Sequence, residues 1–147
     1  MRASCIHTPV FVISFRCGGA LVAPEWVITS GHCLHEVDRA CIGGTDLLQP
    51  SQFKCVALDG EYLHADYDAA SYMNDLAFVR LSTPVTNEPA KLSLESVYDS
   101  PGDFGVVVGW GVTSTGIASH TLKRLDVEWS NQVGFKILGS GNLDFRV

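Results

Sequence analysis

The sequence predicts an all-β fold, and three observations carry that prediction. Short β-branched, apolar runs bounded by turn residues recur along the chain, beginning with Ala20-Leu21-Val22 and Trp26-Val27-Ile28-Thr29 on either side of Ala23-Pro24-Glu25. Cysteines at 17 and 33, and again at 41 and 55, flank segments that read as hairpins. Hydrophobic residues make up 46% of the 147 and charged residues 18%, the balance of an ordered chain with a core.

Taken in order, Val10-Phe11-Val12-Ile13-Ser14-Phe15-Arg16 alternates as a strand. The stretch from Cys17 to Cys33 follows. A tight hairpin brings its ends together, so Cys17 and Cys33 can be bridged, and closing a loop of about 15 residues is worth roughly 3 kcal/mol in the chain-entropy model. His32 is then fixed beside the bridge. Leu34-His35-Glu36-Val37-Asp38 reads as a polar surface loop, and a metalloprotease reading of His35-Glu36 fails because Arg39 stands where the second His is required. Ala40 to Gly44 and Phe53 to Leu58 read as strands around the turn-rich segment from Thr45 to Ser51. Cys41 and Cys55 are thus a candidate second bridge, with a register that sequence leaves open. Asn74-Asp75 leads into the apolar run Leu76 to Leu81. A carboxylate at the mouth of a buried strand is costly unless paired, so Asp75 needs a hydrogen-bonding partner. Thr83 to Gly102 is a Pro-, Ser- and Thr-rich passage with few strand signals. Phe104 to Gly111, and Leu122 to Trp129 with Leu122, Leu125, Val127 and Trp129 among polar residues, read as further strands around a turn from Thr113 to Ser119.

Charge and cysteine usage narrow the function. The net charge is −6 and the isoelectric point about 5.2, with no basic cluster, so a phosphate backbone is repelled and nucleic-acid binding is excluded. No apolar run approaches the 18 or so residues of a membrane span, so no membrane partner is expected. None of the five cysteines forms a CxxC pair, which argues against zinc-ribbon and thioredoxin readings and for a disulfide framework of an oxidising, extracellular compartment. Cys5 is left over. Met1 to Pro9 is no secretory signal, and the expectation is that the native N-terminus lies elsewhere.

Cys17-Gly18-Gly19-Ala20-Leu21-Val22, running through the hairpin into Thr29-Ser30-Gly31-His32-Cys33, resembles the trypsin/chymotrypsin-like serine protease family. That resemblance implies His32 as general base. Asn74-Asp75-Leu76-Ala77-Phe78-Val79-Arg80-Leu81 is similar to the family's Asn-Asp-Ile-Ala-Leu-Ile-Lys-Leu, which implies Asp75 as the residue that orients the His. Phe104 to Gly111, ending Val107-Val108-Gly109-Trp110-Gly111, resembles the family's Val-x-Gly-Trp-Gly strand, and Val127-Glu128-Trp129-Ser130-Asn131 the strand end before its next cysteine. The implied architecture is an antiparallel double β-barrel within an incomplete domain over 1–131. The first barrel would occupy about 10–83, the crossover about 84–103, and the start of a truncated second barrel about 104–131, with a divergent tail over 132–147. His64 is similar to a structural His of the family. Gly31 stands where the family has a small alanine, which predicts a looser local backbone. The family's Ile-Val-Gly-Gly activation terminus does not occur, nor does Gly-Asp-Ser-Gly-Gly, and Gly139-Ser140-Gly141 reads as a loop.

The implied chemistry is proteolysis of a protein or peptide substrate by Ser, His and Asp, with no cofactor and no metal. Here the nucleophilic Ser, the oxyanion hole and the specificity pocket have no counterpart, so the chain as it stands is expected to be inactive. An alternative reading is a secreted, non-catalytic protease homologue that binds or inhibits a partner such as a host glucanase, a family resembled through Gly109-Trp110-Gly111-Val112-Thr113-Ser114 and the Trp129-Ser130-Asn131 ending. A third expectation is that a second barrel of about three strands leaves sheet edges open to aggregation.

Overall fold

Strand residues alternate between two faces, so a strand that closes a barrel must bury every second side chain. A computed structural model describes residues 10–13, 17–35, 37–92, 101–113, 116–130 and 134–137. Among the described residues the strands are β1 (Val10–Ile13), β2 (Cys17–Ala23), β3 (Trp26–Thr29), β4 (Arg39–Ile42), β5 (Lys54–Leu63), β6 (Ala77–Leu81), β7 (Phe104–Gly109), β8 (Lys123–Ser130) and β9 (Gly134–Ile137). They fall into two units, Met1–Gly44 with Gln49–Leu92, and Thr45–Leu48 with Ser93–Val147.

The first unit is a closed barrel in the order β1-β2-β3-β6-β5-β4, completed by the antiparallel pairing of β4 with β1. Alternation selects its interior. Val27 and Thr29 of β3 are buried while Trp26 and Ile28 are half-buried; Ala77, Val79 and Leu81 of β6 are buried while Phe78 and Arg80 are half-buried. With Leu21, Ala40, Ile42 and Val56 these side chains form the core, and Leu34 and Val85 join it from outside the strands. Thr29 is the one polar residue in that interior among the described residues. Its hydroxyl donates to the carbonyl of Gly18 at 2.8 Å, which removes the penalty of burying it.

The β2–β3 hairpin turns at Pro24-Glu25 and shifts register between Leu21 and Ala23. Its tip is tied down by the Leu81 N–H donating to the Glu25 carbonyl at 2.8 Å and the Val85 N–H to that of Pro24 at 2.9 Å. β5 runs to Leu63, five residues past the Phe53–Leu58 stretch expected from pattern. Asp59-Gly60-Glu61 breaks the apolar pattern there, and the ladder absorbs the break as a register shift between Leu58 and Gly60.

The second unit is a three-stranded antiparallel sheet in the order β7-β8-β9. Leu125 and Val127 of β8 are its buried side chains among the described residues. Thr45–Leu48 joins it: the Leu47 N–H donates to the His120 carbonyl at 2.8 Å, and the Leu122 N–H to that of Thr45 at 2.7 Å. β9 lies within 132–147, where sequence assigned no element. Between β6 and β7 the described residues carry no strand; 93–100, in the middle of the expected crossover, lie outside the described residues, as do Cys5, Glu36 and Gly139-Ser140-Gly141.

Candidate active site

Register brings the two strongest sequence signals together. β3 ends at Thr29, which pairs with Ala77 at the start of antiparallel β6. His32, just beyond the end of β3, and Asp75, just ahead of β6, therefore emerge at the same end of the barrel. His32 sits in a short 3-10 turn, Gly31–Cys33. The Cys17–Cys33 disulfide, with sulfurs 2.04 Å apart, anchors the turn to the start of β2.

Asp75 holds His32 at two points. The His32 backbone N–H donates to Asp75 Oδ1 at 2.8 Å, and His32 Nδ1 lies 2.7 Å from Asp75 Oδ2. An ionised carboxylate only accepts, so this contact places the imidazole proton on Nδ1 and leaves the Nε2 lone pair free to accept one. The side chain of Asp75 is 16% exposed and that of His32 40%, so the carboxylate is sheltered while the ring reaches solvent. Burial pushes the Asp75 carboxyl up, but the side-chain and backbone hydrogen bonds from His32, the charge of the ring when it is protonated and a backbone hydrogen bond from Gly31 together outweigh it and hold the group below its ordinary value.

The turn is packed, which corrects the expectation that Gly31 loosens it. A Cβ at Gly31 would stand 2.7 Å from Leu63 Cδ1, 3.2 Å from Asp75 Oδ1 and 3.3 Å from Tyr67 Cδ2. Glycine is there because leucine, aspartate and tyrosine already occupy the space. The segment leading to Asp75 is folded on itself: the Asp68 carboxylate accepts from the Ala70 N–H at 2.9 Å and the Ser71 hydroxyl at 2.6 Å, and the Asn74 amide donates to the Asp66 carbonyl at 2.9 Å. Tyr72 and Asn74 adopt left-handed backbone there, with φ of 57° and 55°. This places the Tyr72 ring edge-on to His32, with centroids 5.9 Å apart. Desolvation, then the charge of Asp75, raises the Tyr67 hydroxyl above its usual value. Leu63, Tyr67 and Tyr72 were not singled out from sequence: Leu63 ends β5 beyond the stretch expected from pattern, and loop backbone carries Tyr67 and Tyr72 to this turn.

The other described histidines of this unit play different parts. His35 is 83% exposed and pairs with Glu61, Nδ1 to Oε2 at 3.1 Å. His64 accepts the Asp66 N–H on Nδ1 at 3.2 Å and receives the Tyr67 N–H on its carbonyl at 3.1 Å, a turn-forming role. Cys17, His32 and Cys33 place one metal-ligand atom each within 4.8 Å of one another. Both sulfurs are bonded in the bridge, however, and supply no thiolate. Cys41 and Cys55 are joined by a second disulfide, across directly opposed positions of β4 and β5.

The family model for trypsin matches residues 6–136. The chain belongs to the trypsin family. Trypsin iota of Drosophila melanogaster is 31% identical over 126 residues, covering 77% of this chain and 46% of its own length. Brachyurin of Leptuca pugilator is 29% identical over 120 residues, covering 77% of this chain and 53% of its own. This trypsin-family chain thus spans about half the length of the curated relatives it matches. Neuropsin, a serine protease expressed in the limbic system of mouse brain, superposes with a TM-score of 0.71 over 89% of this chain and 64% of that one at 22% identity, a likeness that carries the fold. The family match runs past Gln132, where the quoted motifs stop, and takes in most of β9.

Proposed function

We propose that this chain carries the base-and-orienter half of a serine endopeptidase site, with His32 as general base and Asp75 as the residue that fixes its tautomer. The observation that supports the reading is the two-point grip of one carboxylate on His32, which presents a bare Nε2 at the exposed side of the ring. A base so arranged can take a proton from a hydroxyl nucleophile and return it to a leaving amine. The substrates would be proteins or peptides, and the compartment extracellular, in keeping with the two disulfides. The 147 residues contain no Gly-Asp-Ser-Gly-Gly, so the chain by itself would have a base and no nucleophile beside it.

The test is labelling with a fluorophosphonate, which reacts with an activated serine. The 147-residue chain is expected to take no label and to cleave no peptide ester. A longer product that continues into Gly-Asp-Ser-Gly-Gly is expected to take label and to lose it on His32→Ala. A labelled serine on the 147-residue chain, or unimpaired labelling of the longer His32→Ala product, would overturn the reading.

A second reading, a non-catalytic homologue that binds a protein such as a hydrolase, draws on exposed apolar side chains at the end of β5 and in the segment that leads to β6. Leu63, Tyr72, Met73 and Leu76 are all exposed large hydrophobics. Pull-down of secreted glucanases, with retention lost on Tyr72→Ser and kept on His32→Ala, is its distinguishing outcome.

A further inference from the structure

The two disulfides close loops of nearly equal length, with sequence separations of 16 and 14, so loop entropy does not set them apart. Access does. In each bridge one half is buried, Cys33 at 4% within the His32 turn and Cys41 at 5%; the other halves differ, Cys17 being half-buried against the core whereas Cys55 is exposed on the outer face of β5. Register explains the difference: Ala40, Ile42 and Val56 take the core side of the β4–β5 ladder, so Arg39, Cys41, Cys55 and Ala57 share the outer side, with Cys41 directly opposite Cys55 and Arg39 opposite Ala57. Cys41 is itself only 5% exposed, so Cys55 is the sulfur an incoming thiol reaches.

Beside it lies an open cleft of about 220 Å³ lined by Asp38, Arg39, Cys55 and Ala57. Arg39 is held there by Asp38, Nη2 to Oδ2 at 2.8 Å, with both side chains more than half exposed, 58% and 67%. The pair is bidentate, with Arg39 Nε also donating to Asp38 Oδ1 at 3.0 Å, but water screens it, so a carboxylate on a ligand can compete with Asp38 for the guanidinium.

We infer that Cys41–Cys55 is a thiol-exchange site, attacked at Cys55 by a small carboxylate-bearing thiol of the glutathione class that Arg39 recruits. The thiolate attacks Cys55 Sγ, the Cys41–Cys55 bond breaks, and its electron pair leaves on Cys41 Sγ, which takes a proton from water. The product is a mixed disulfide on Cys55 and a free thiol at Cys41. A second equivalent of the same thiol attacks the adduct, releasing the small-molecule disulfide and the Cys55 thiol; two thiols are oxidised and one protein disulfide is reduced. The barrel survives the cut, because the β4–β5 ladder from Arg39–Ala57 to Ile42–Lys54 and the core beneath it do not depend on the sulfurs. This site is independent of the chemistry proposed for His32.

The experiment uses the 147-residue protein carrying Cys5→Ser, so that no other thiol competes, incubated under native conditions with reduced glutathione, quenched with an alkylating agent and mapped by peptide mass. The expected result is glutathione on Cys55 and alkyl on Cys41 while Cys17–Cys33 remains intact. Opening of Cys17–Cys33 at an equal or greater rate, or the adduct on Cys41 instead, overturns the inference. Recruitment is tested separately. Arg39→Ala is expected to slow exchange with glutathione roughly threefold to fivefold, and Asp38→Asn to speed it by a similar factor. Both effects should be smaller with 2-mercaptoethanol, whose attacking thiolate carries no carboxylate for Arg39 to hold. Equal effects on both thiols, or none on glutathione, removes Arg39 from the proposal.

Discussion

The six-stranded barrel and the three-stranded sheet are built from the same kinds of strand, yet they solve the problem of sheet edges differently. In the barrel β4 pairs back on β1, and Leu21, Val27, Ala40, Ile42, Val56, Ala77, Val79 and Leu81 are enclosed from all sides. In the sheet, β7 and β9 stand at the edges, Leu125 and Val127 are buried, and Phe104, at 74%, is among the most exposed hydrophobics. Closure lets a short strand bury its inward side chains almost completely, whereas an open sheet shields its central strand and leaves the outer ones to solvent. His32 and Asp75 lie at one end of the closed unit, where the strands that flank them cannot drift apart.

The largest effect that would break this comparison is Leu21→Ala. Leu21 is wholly buried in the barrel core, and its truncation is expected to destabilise that unit by about 2–5 kcal/mol, read as lost amide-exchange protection in β2, β3 and β6 with β7 and β8 unaffected. Equal loss in both units would show that they unfold as one.

Next comes Asp75→Asn, expected to cost the barrel about 1–2 kcal/mol and to move the imidazole proton from Nδ1 to Nε2, visible in nitrogen-detected NMR of His32. The same carboxylate sets an acid limit. Asp38, Asp68 and Asp75 are each held below the ordinary carboxylate value, and all three lie in connections between strands of the barrel unit. A group lowered on folding contributes stability that is present above its unfolded pKa of about 4 and is lost as pH falls through its lower folded value. Barrel protection should therefore decline below about pH 4, and Asp75→Asn should make that decline shallower. An unchanged profile would remove Asp75 as a contributor.

Gly31→Ala is expected to have a smaller effect, about 1 kcal/mol, because the atom nearest the new methyl is the terminal Cδ1 of Leu63, which can swing aside. Thermal unfolding gives the shift, and adding Leu63→Ala should cancel part of it. Smallest of all is Phe104→Ser on the exposed face of β7, expected within about 0.5 kcal/mol in stability, with improved solubility as its measurable consequence.

Much of the barrel was legible from local pattern. The β-branched Ala20–Val22 and Trp26–Thr29 runs fall within β2 and β3, the breaker between them shrinks to Pro24-Glu25 because Ala23 joins β2, and the apolar run that follows Asp75 forms β6. The end of β5 was not, because Asp59-Gly60-Glu61 interrupts the apolar pattern and only pairing with β6 carries the strand through it. Nor was β9, whose few residues carry too short an alternation to stand out alone. At the site, the need of Asp75 for a partner was readable from the cost of an unpaired carboxylate, but the edge-on Tyr72 and the crowding at Gly31 were not.

By itself, then, the chain determines an all-β protein with a bridged hairpin, a histidine fixed beside that bridge and a carboxylate that cannot be left unpaired. These follow from residue chemistry and from spacings of a few positions, which act locally. Only the tertiary structure decides that Thr29 pairs with Ala77, and hence that His32 and Asp75 meet at 2.7 Å across 43 residues of chain. It alone also decides that Cys41 faces Cys55 with one sulfur open to solvent and the other covered. Both depend on strand register, and register is chosen by the core as a whole, because slipping any strand by one residue would turn its entire buried face outward.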